Sequence, residues 1–600
     1  MNKLMKKNMK NYITLFVASL MAVSCVDTVI LPDDKTVEED MWKSKLQVQQ
    51  NVNEAYRSFT VENVVSRLIV WGGLRSDELI PISGITSDIV DDLAEINLAN
   101  IQPDNTYATW AAFYHVINQC NIVLASAAKA MVEDPSYTEG DYLADCSQML
   151  ALRSLCYFYL VRNFRDVPYT TEAYKEATQI SDALPQVAPD SVLACCIHDL
   201  EIAEKNAVSA SAYTDWRRVG YLTRDGIDAL LADIYLWRGS VMHSAADYEQ
   251  AIAYSDKVIE SKKAQHVVGF GEVQTSEYPL AEGRRMFNEL FVQQNAEESI
   301  FELQYMGTTS SANMGVCTHY AAYKKGSNVP YLYASNIFGF TASTNPVYRS
   351  SSMDDWRGKL NTYTQEQTAS GFDVLEIRKY VKNSQETVQN LTDRLDAKAS
   401  SNWSDSYKQN FIIYRLTDVM LMKAEALVGL ALLTDEAAPE GVDTLDVEHL
   451  RPAFDLVDAV NRRAKPSTSI LAGDVLKWGT YSTNVNDMED LVMAERLREL
   501  AFEGKRWYDL LRYNYRHTTG VDYTTTLASQ EARGLSFPAT HKPMLELVKR
   551  KLSSKGEAVA AKLGTEPRLY MPIPLRDLKL NSLLHQTPGY SNDENISKQY

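Results

Sequence analysis

Apolar positions recur at three- and four-residue spacing along most of this chain, the pattern of helices that bury one stripe. Asp228 to Gly239 alternates small and large apolar residues at that spacing and ends on a glycine placed to stop a helix. Tyr248 to Glu260 follows as a second amphipathic helix. Similar pairs lie at Leu150–Phe164 with Val192–Ala207 and at Asp418–Leu433 with Phe454–Arg463. Lys45–Phe59 and Trp110–Ala130 add further helices.

Paired helices of this length, with alanines where they touch and glycine at the turn, resemble tetratricopeptide hairpins, here with irregular repeat lengths. Residues 266–405 break the pattern, crowding Gly, Ser, Thr and Asn together with aromatics. Such a stretch inside a compact protein is functional or disordered, and its aromatics argue against disorder. The expected fold is mainly all-α: a tetratricopeptide-like helical-repeat scaffold with long irregular loops and minor β-hairpins.

The N-terminus reads differently. Lys3, Lys6, Lys7 and Lys10 precede Tyr12–Val23, which is apolar apart from Thr14 and Ser19. This is the build of a secretory signal, too short to span a bilayer, which takes about 20 apolar residues. Ala22-Val23-Ser24-Cys25 resembles a bacterial lipobox, departing at Ala22 where leucine is usual. The expectation is a signal peptide over 1–24 and a lipid-anchored tether over 25–40, with Cys25 acylated. Several acyl chains hold stably where one holds only reversibly.

Charge narrows the partners. Removing residues 1–24 takes away four positive charges and no negative ones, so the net charge moves from −18 to −22. An acidic body argues against nucleic acid and against electrostatic attachment to anionic lipid, leaving the N-terminal lipid as the membrane contact. The six cysteines after Cys25 read as small buried apolar residues rather than a disulfide framework. They have no Cys-x-x-Cys pair and no zinc-like spacing. Tyrosine is abundant, 34 against 16 phenylalanines, and offers flat apolar faces with polar rims.

No His-Glu-x-x-His, Gly-x-Ser-x-Gly, P-loop or Gly-x-Gly-x-x-Gly motif occurs. No catalytic residue, metal ligand or cofactor is therefore expected. A glycoside hydrolase, which needs only two carboxylates a few ångströms apart, stays open among 78 acids. Over Met488–Arg512 a single helix is expected. Glu495–Arg498, Glu503–Arg506 and Asp509–Arg512 would then form an i,i+3 ion-pair ladder.

That segment, Glu495-Arg496-x-Arg498-Glu499-Leu500-Ala501-Phe502-Glu503-Gly504-x-Arg506-Trp507-x-Asp509-Leu510, closely resembles the C-terminal motif of the SusD/RagB family. Arg415-Leu416-Thr417-Asp418 with Ala424-Glu425-Ala426 is similar to the family's Arg-x-x-Asp…Ala-Glu-Ala helix. Asn461-Arg462-Arg463 is similar to its Asn-x-x-Arg-x-Arg helix, slightly shortened. Pro572-Ile573-Pro574 and Gln586-Thr587-Pro588-Gly589-Tyr590 resemble the closing segment, with Thr587 where asparagine is usual. Upstream, Asp166-Val167-Pro168, Trp110–Asn121 and Glu298–Glu302 also match.

The resemblance implies a surface lipoprotein of the outer membrane that binds oligosaccharide and caps a SusC-like TonB-dependent transporter, with no chemical step. Some relatives bind peptides instead, and a pure protein-interaction scaffold is a further alternative. It also implies a helical N-terminal region over 41–290 and a C-terminal region over 291–600, with ligand-facing loops at 306–405. A sugar site asks for aromatic platforms beside carboxamides, acids or arginine. Candidates are Trp71 with Arg75 and Asp77; Tyr320, Tyr323, Tyr331 and Tyr333 with Asn328 and Asn336; and Trp356. For Trp356 the Asp355-Trp356-Arg357 element resembles a structural feature of the family.

Overall fold

Helical spacing becomes helix in each of the paired stretches named above. A computed structural model describes residues 41–592 except 62, 176–182, 267–276, 309, 322–329, 340–346, 349–354, 366–373, 382–405, 437–445 and 472. The main helices are α1 (Lys45–Val61), α2 (Ala111–Ser126), α3 (Glu139–Phe164), α4 (Pro189–Asn206) and α5 (Arg224–Met242). They continue with α6 (Ala245–Gln265), α7 (Leu416–Glu436), α8 (Val447–Arg463), α9 (Val485–Leu500) and α10 (Arg506–Arg516). From α1 to α9 each helix packs against the one before it, so the apolar stripe of one is buried by its neighbours, as in tetratricopeptide-like arrays.

Local chemistry sets the helix starts. Thr138 and Asp141 form a capping box at α3, Ser244 accepts from the Asp247 amide at α6, and Asn484 accepts from the Asp487 amide at α9. Each satisfies an amide that the helix leaves without a partner. The three expected hairpins form as α3/α4, α5/α6 and α7/α8. Gly239 does not stop α5, which runs on to Met242 and turns at left-handed His243. The glycine instead lies under the ring of Tyr248.

Half of the strands among the described residues come from the stretch where helical spacing fails. β1 (Leu79–Pro81), β5 (Leu332–Ala334), β7 (Val374–Ile377) and β6 (Thr362–Gln365) form an antiparallel sheet in that order. β2 (Val167–Pro168) pairs with β3 (Gln186–Val187), and β4 (Ser299–Leu303) with β8 (Phe411–Arg415).

The single helix expected over Met488–Arg512 is two. α9 ends at Leu500, and α10 starts at Arg506 after a turn in which Phe502 and Gly504 take φ of 67° and 69°. Glu78 accepts from the Phe502 amide, and Tyr320 Oη donates to the Phe502 carbonyl at 3.2 Å. A Cβ on Gly72 would run into the Gly504 carbonyl, and one on Gly504 would meet the Leu68 carbonyl. The turn re-aims the ladder. Glu495–Arg498 and Asp509–Arg512 pair at 2.8 and 2.7 Å, whereas Glu503 turns to Arg415 and Lys379 and Arg506 to Asp77.

Among the described residues no helix is long and apolar enough to cross a membrane. Cys25 and the tether lie outside the described residues. Of the six other cysteines, Cys120, Cys156, Cys196 and Cys317 are buried, and all six are free thiols.

Candidate ligand-binding surface

The motif residues converge on one buried charge cluster. Arg415, at the end of β8, donates to Glu298 at 3.0 Å, to Glu499 at 2.5 Å and to Glu503 at 2.8 Å. Arg357 reaches Glu495 at 2.7 Å and Glu499 at 3.0 Å, while Asp355 clamps its other edge. Arg463 joins Glu298 at 2.7 Å and also Glu499. Burial would raise the Glu499 carboxyl, but the guanidinium groups of Arg463, Arg415 and Arg357 hold it well below its ordinary value. A second cluster ties Arg512 and Arg516 to Glu425, and Arg496 and Lys505 to Asp418. These carboxylates are paired and sealed from water, which suits a scaffold.

Six of the sequence candidates belong to the same interior. Trp71 sits in a π-helical turn, Val70–Leu74, with no exposed surface. Its Nε1 donates to the Tyr107 carbonyl at 2.8 Å, and its ring stacks on Phe113. Arg75 lies 4.4 Å over the Trp507 ring and donates to the Leu569 carbonyl; burial lowers its pKa to about 10. Asp77 pairs with Arg506. Tyr320 is buried beneath the 500–506 turn. Tyr331 and Tyr333 are 7% and 6% exposed and flank β5 residue Leu332.

The expectation that these six side chains face a ligand is therefore corrected. Trp71, Arg75, Asp77 and Tyr320 anchor the loops from below, because an indole or guanidinium buried this far is held by packing and hydrogen bonds. Asn336 is exposed and Trp356 half-buried. Tyr323 and Asn328 lie outside the described residues.

Sequence inspection also passed over two groups. Glu78 is buried and its carboxyl is pushed up to about 8, chiefly by burial. A raised carboxyl in a cleft would suggest an acid catalyst, but Glu78 is sealed and accepts from the Phe502 amide. A cleft of about 700 Å³ opens where the C-terminal segment crosses residues 526–532. Gln186, Ser529, Glu531, His585, Pro588 and Asn592 are among its walls. Its size suits a ligand of a few sugar or amino-acid units. Only the Gln586–Tyr590 motif pointed there, because the walls come from segments hundreds of residues apart.

The SusD family model matches residues 316–590, the region that carries most of the buried cluster. SusD-like protein P2 of Formosa agariphila is 25% identical over 520 residues, covering 84% of this chain and 91% of that protein. The chain is thus similar to the SusD family over residues 316–590. SusD-like protein P38 of the same organism is 24% identical over 541 residues, covering 85% of this chain and 92% of its own length. Among solved structures, B. fragilis NanU superposes with a TM-score of 0.62 at 18% identity, covering 94% of this chain and all of that one. A SusD homologue from Bacteroides thetaiotaomicron reaches 0.63 at 18% identity, covering 92% of this chain and 99% of that one.

Proposed function

We propose that this chain is a SusD-type lipoprotein, acylated at Cys25, that binds oligosaccharide at the outer membrane. It caps a SusC-like TonB-dependent transporter and hands the ligand on for uptake. The observation that carries the reading is the family match over 316–590, in which Arg415, Asp418, Glu425, Arg463 and Glu499 enter the buried clusters and Arg506 pairs with buried Asp77. In this reading the region over 41–290 supplies most of the helical scaffold and strand β1, and 291–600 supplies the other three strands of the β1 sheet and the ligand-facing loops at 306–405. Among the residues named from sequence, exposed Asn336 and half-buried Trp356 are the candidates for ligand contact in this reading, with the 700 Å³ cleft as a further concave surface.

The test is membrane extraction of the tagged full-length chain. A TonB-dependent transporter should co-purify in stoichiometric amount, and Cys25→Ala should release the protein from the outer membrane with its ligand affinity intact. A Cys25→Ala protein still fixed at the cell surface, or extraction without a transporter, would contradict the reading.

A further inference from the structure

The connection between α4 and α5 presents an aromatic surface built to stay open. Trp216 is 45% exposed, and the other described tryptophans are buried or half-buried. Its ring has a covered side and an open side. A Cβ built on Gly220 would lie 2.6 Å from the indole Cε3, so the ring rests directly on the glycine backbone. The edge of Tyr221 meets it with centroids 5.4 Å apart, and Tyr221 stacks in turn on buried Tyr56 at 5.1 Å. Tyr213 stands edge-on to Tyr221 at 6.0 Å.

The turn beneath is pinned as well. Arg218 donates to the Asn295 carbonyl at 2.8 Å, which ties it to the segment before β4. An exposed indole fixed this way has little conformational freedom to lose when it gains a partner.

Polar groups surround the open side. Asp215 grips Arg217 through Nε at 3.0 Å and Nη2 at 2.9 Å, and that guanidinium lies 5.2 Å from the Tyr213 ring centre. Asn53 accepts from Tyr221 Oη at 2.6 Å. A flat apolar face bordered by a carboxylate, a guanidinium and a carboxamide complements a pyranose ring, whose C–H face is apolar and whose edge carries hydroxyls. A protein hot spot would use the same residue types, but such anchors sit in larger desolvated patches, and here Asp215, Arg217 and Asn53 are all exposed.

We propose that Trp216, with Tyr213, Tyr221, Asn53, Asp215 and Arg217, is a saccharide-stacking platform on the helical scaffold, separate from the 306–405 loops. It would hold a second segment of a long glycan or raise its local concentration. The proposal rests on the reading that the ligand is a saccharide, and the test separates the two.

The full-length protein in detergent is run in native gels containing amylopectin, laminarin, xyloglucan or mannan, and the retarding polysaccharide is then titrated. Trp216→Ala should weaken that binding about five- to tenfold, the loss of one aromatic contact. Trp216→Phe should recover part of it, and the bound polysaccharide should shield Trp216 fluorescence from iodide in the parent protein. Equal retardation of parent and Trp216→Ala overturns the platform and leaves the saccharide reading standing. No retardation of the parent by any of the four overturns the platform, and titration with short oligosaccharides then decides the wider reading separately. Unchanged glycan binding by Trp216→Ala with weakened transporter co-purification also overturns the proposal, giving the platform to the protein partner.

Discussion

Arg506 holds Asp77 through two charge-assisted hydrogen bonds, Nε to Oδ1 at 2.9 Å and Nη2 to Oδ2 at 3.2 Å, across 429 residues of chain. Both groups are buried. Burial would raise the Asp77 carboxyl, yet the facing guanidinium keeps it below its ordinary value. Asp77→Ala strands the Arg506 charge and should cost about 3–5 kcal/mol. Urea denaturation of the variant checks this; an unchanged midpoint would mean that the pair does not brace the turn.

Three guanidinium groups meet at Glu499. Glu499→Gln removes the charge while nearly preserving shape, so it should destabilise the fold severely and expose the C-terminal half to proteolysis. A carboxyl held low in the folded state stabilises at pH above its unfolded value, near 4.3, and that contribution is lost as pH falls through the folded value. The parent should therefore lose thermal stability steeply below about pH 4, and Glu499→Gln less steeply.

His319 offers a second acid-sensitive group in a separate pH window. Burial pushes its imidazole down to about 4, against an opposing hydrogen bond to the Gly315 carbonyl. Its Nε2 lies 2.9 Å from Tyr107 Oη. Between about pH 6.5 and 4 the unfolded chain binds a proton that the folded chain refuses, so stability falls as pH falls, by up to about 1.4 kcal/mol per pH unit. His319→Gln should lose that component. Denaturation midpoints from pH 7 to 5 would show a flatter profile than the parent; parallel profiles would contradict the assignment.

Gly72→Ala drives a methyl into the Gly504 backbone. It should cost about 3 kcal/mol, the range for overpacking a rigid contact. Gly479→Ala, where nothing lies within 4 Å, is the control and should be neutral. Thermal melts of the pair decide it.

The helical scaffold was legible because 3.6-residue spacing is a local property: α3/α4, α5/α6 and α7/α8 follow from their apolar stripes alone. The break at Ala501–Lys505 was not, because it depends on Gly72 and Glu78, more than 400 residues away. The same distance effect misled the choice of site residues. Trp71 and Tyr320 look like ligand platforms in sequence, since nothing near them shows that Tyr107, Phe113 and Phe502 cover them. Asp355 and Arg357 were read as structural from their motif, and both enter the buried cluster.

The reading proposed above is that this chain captures saccharide without altering it. Isothermal titration of the full-length protein with neutral oligosaccharides, followed by chromatography of the recovered ligand, tests it most directly. The account predicts saturable binding with the oligosaccharide returned intact. Shortened products in the recovered ligand, or no heat of binding with any saccharide, would contradict it.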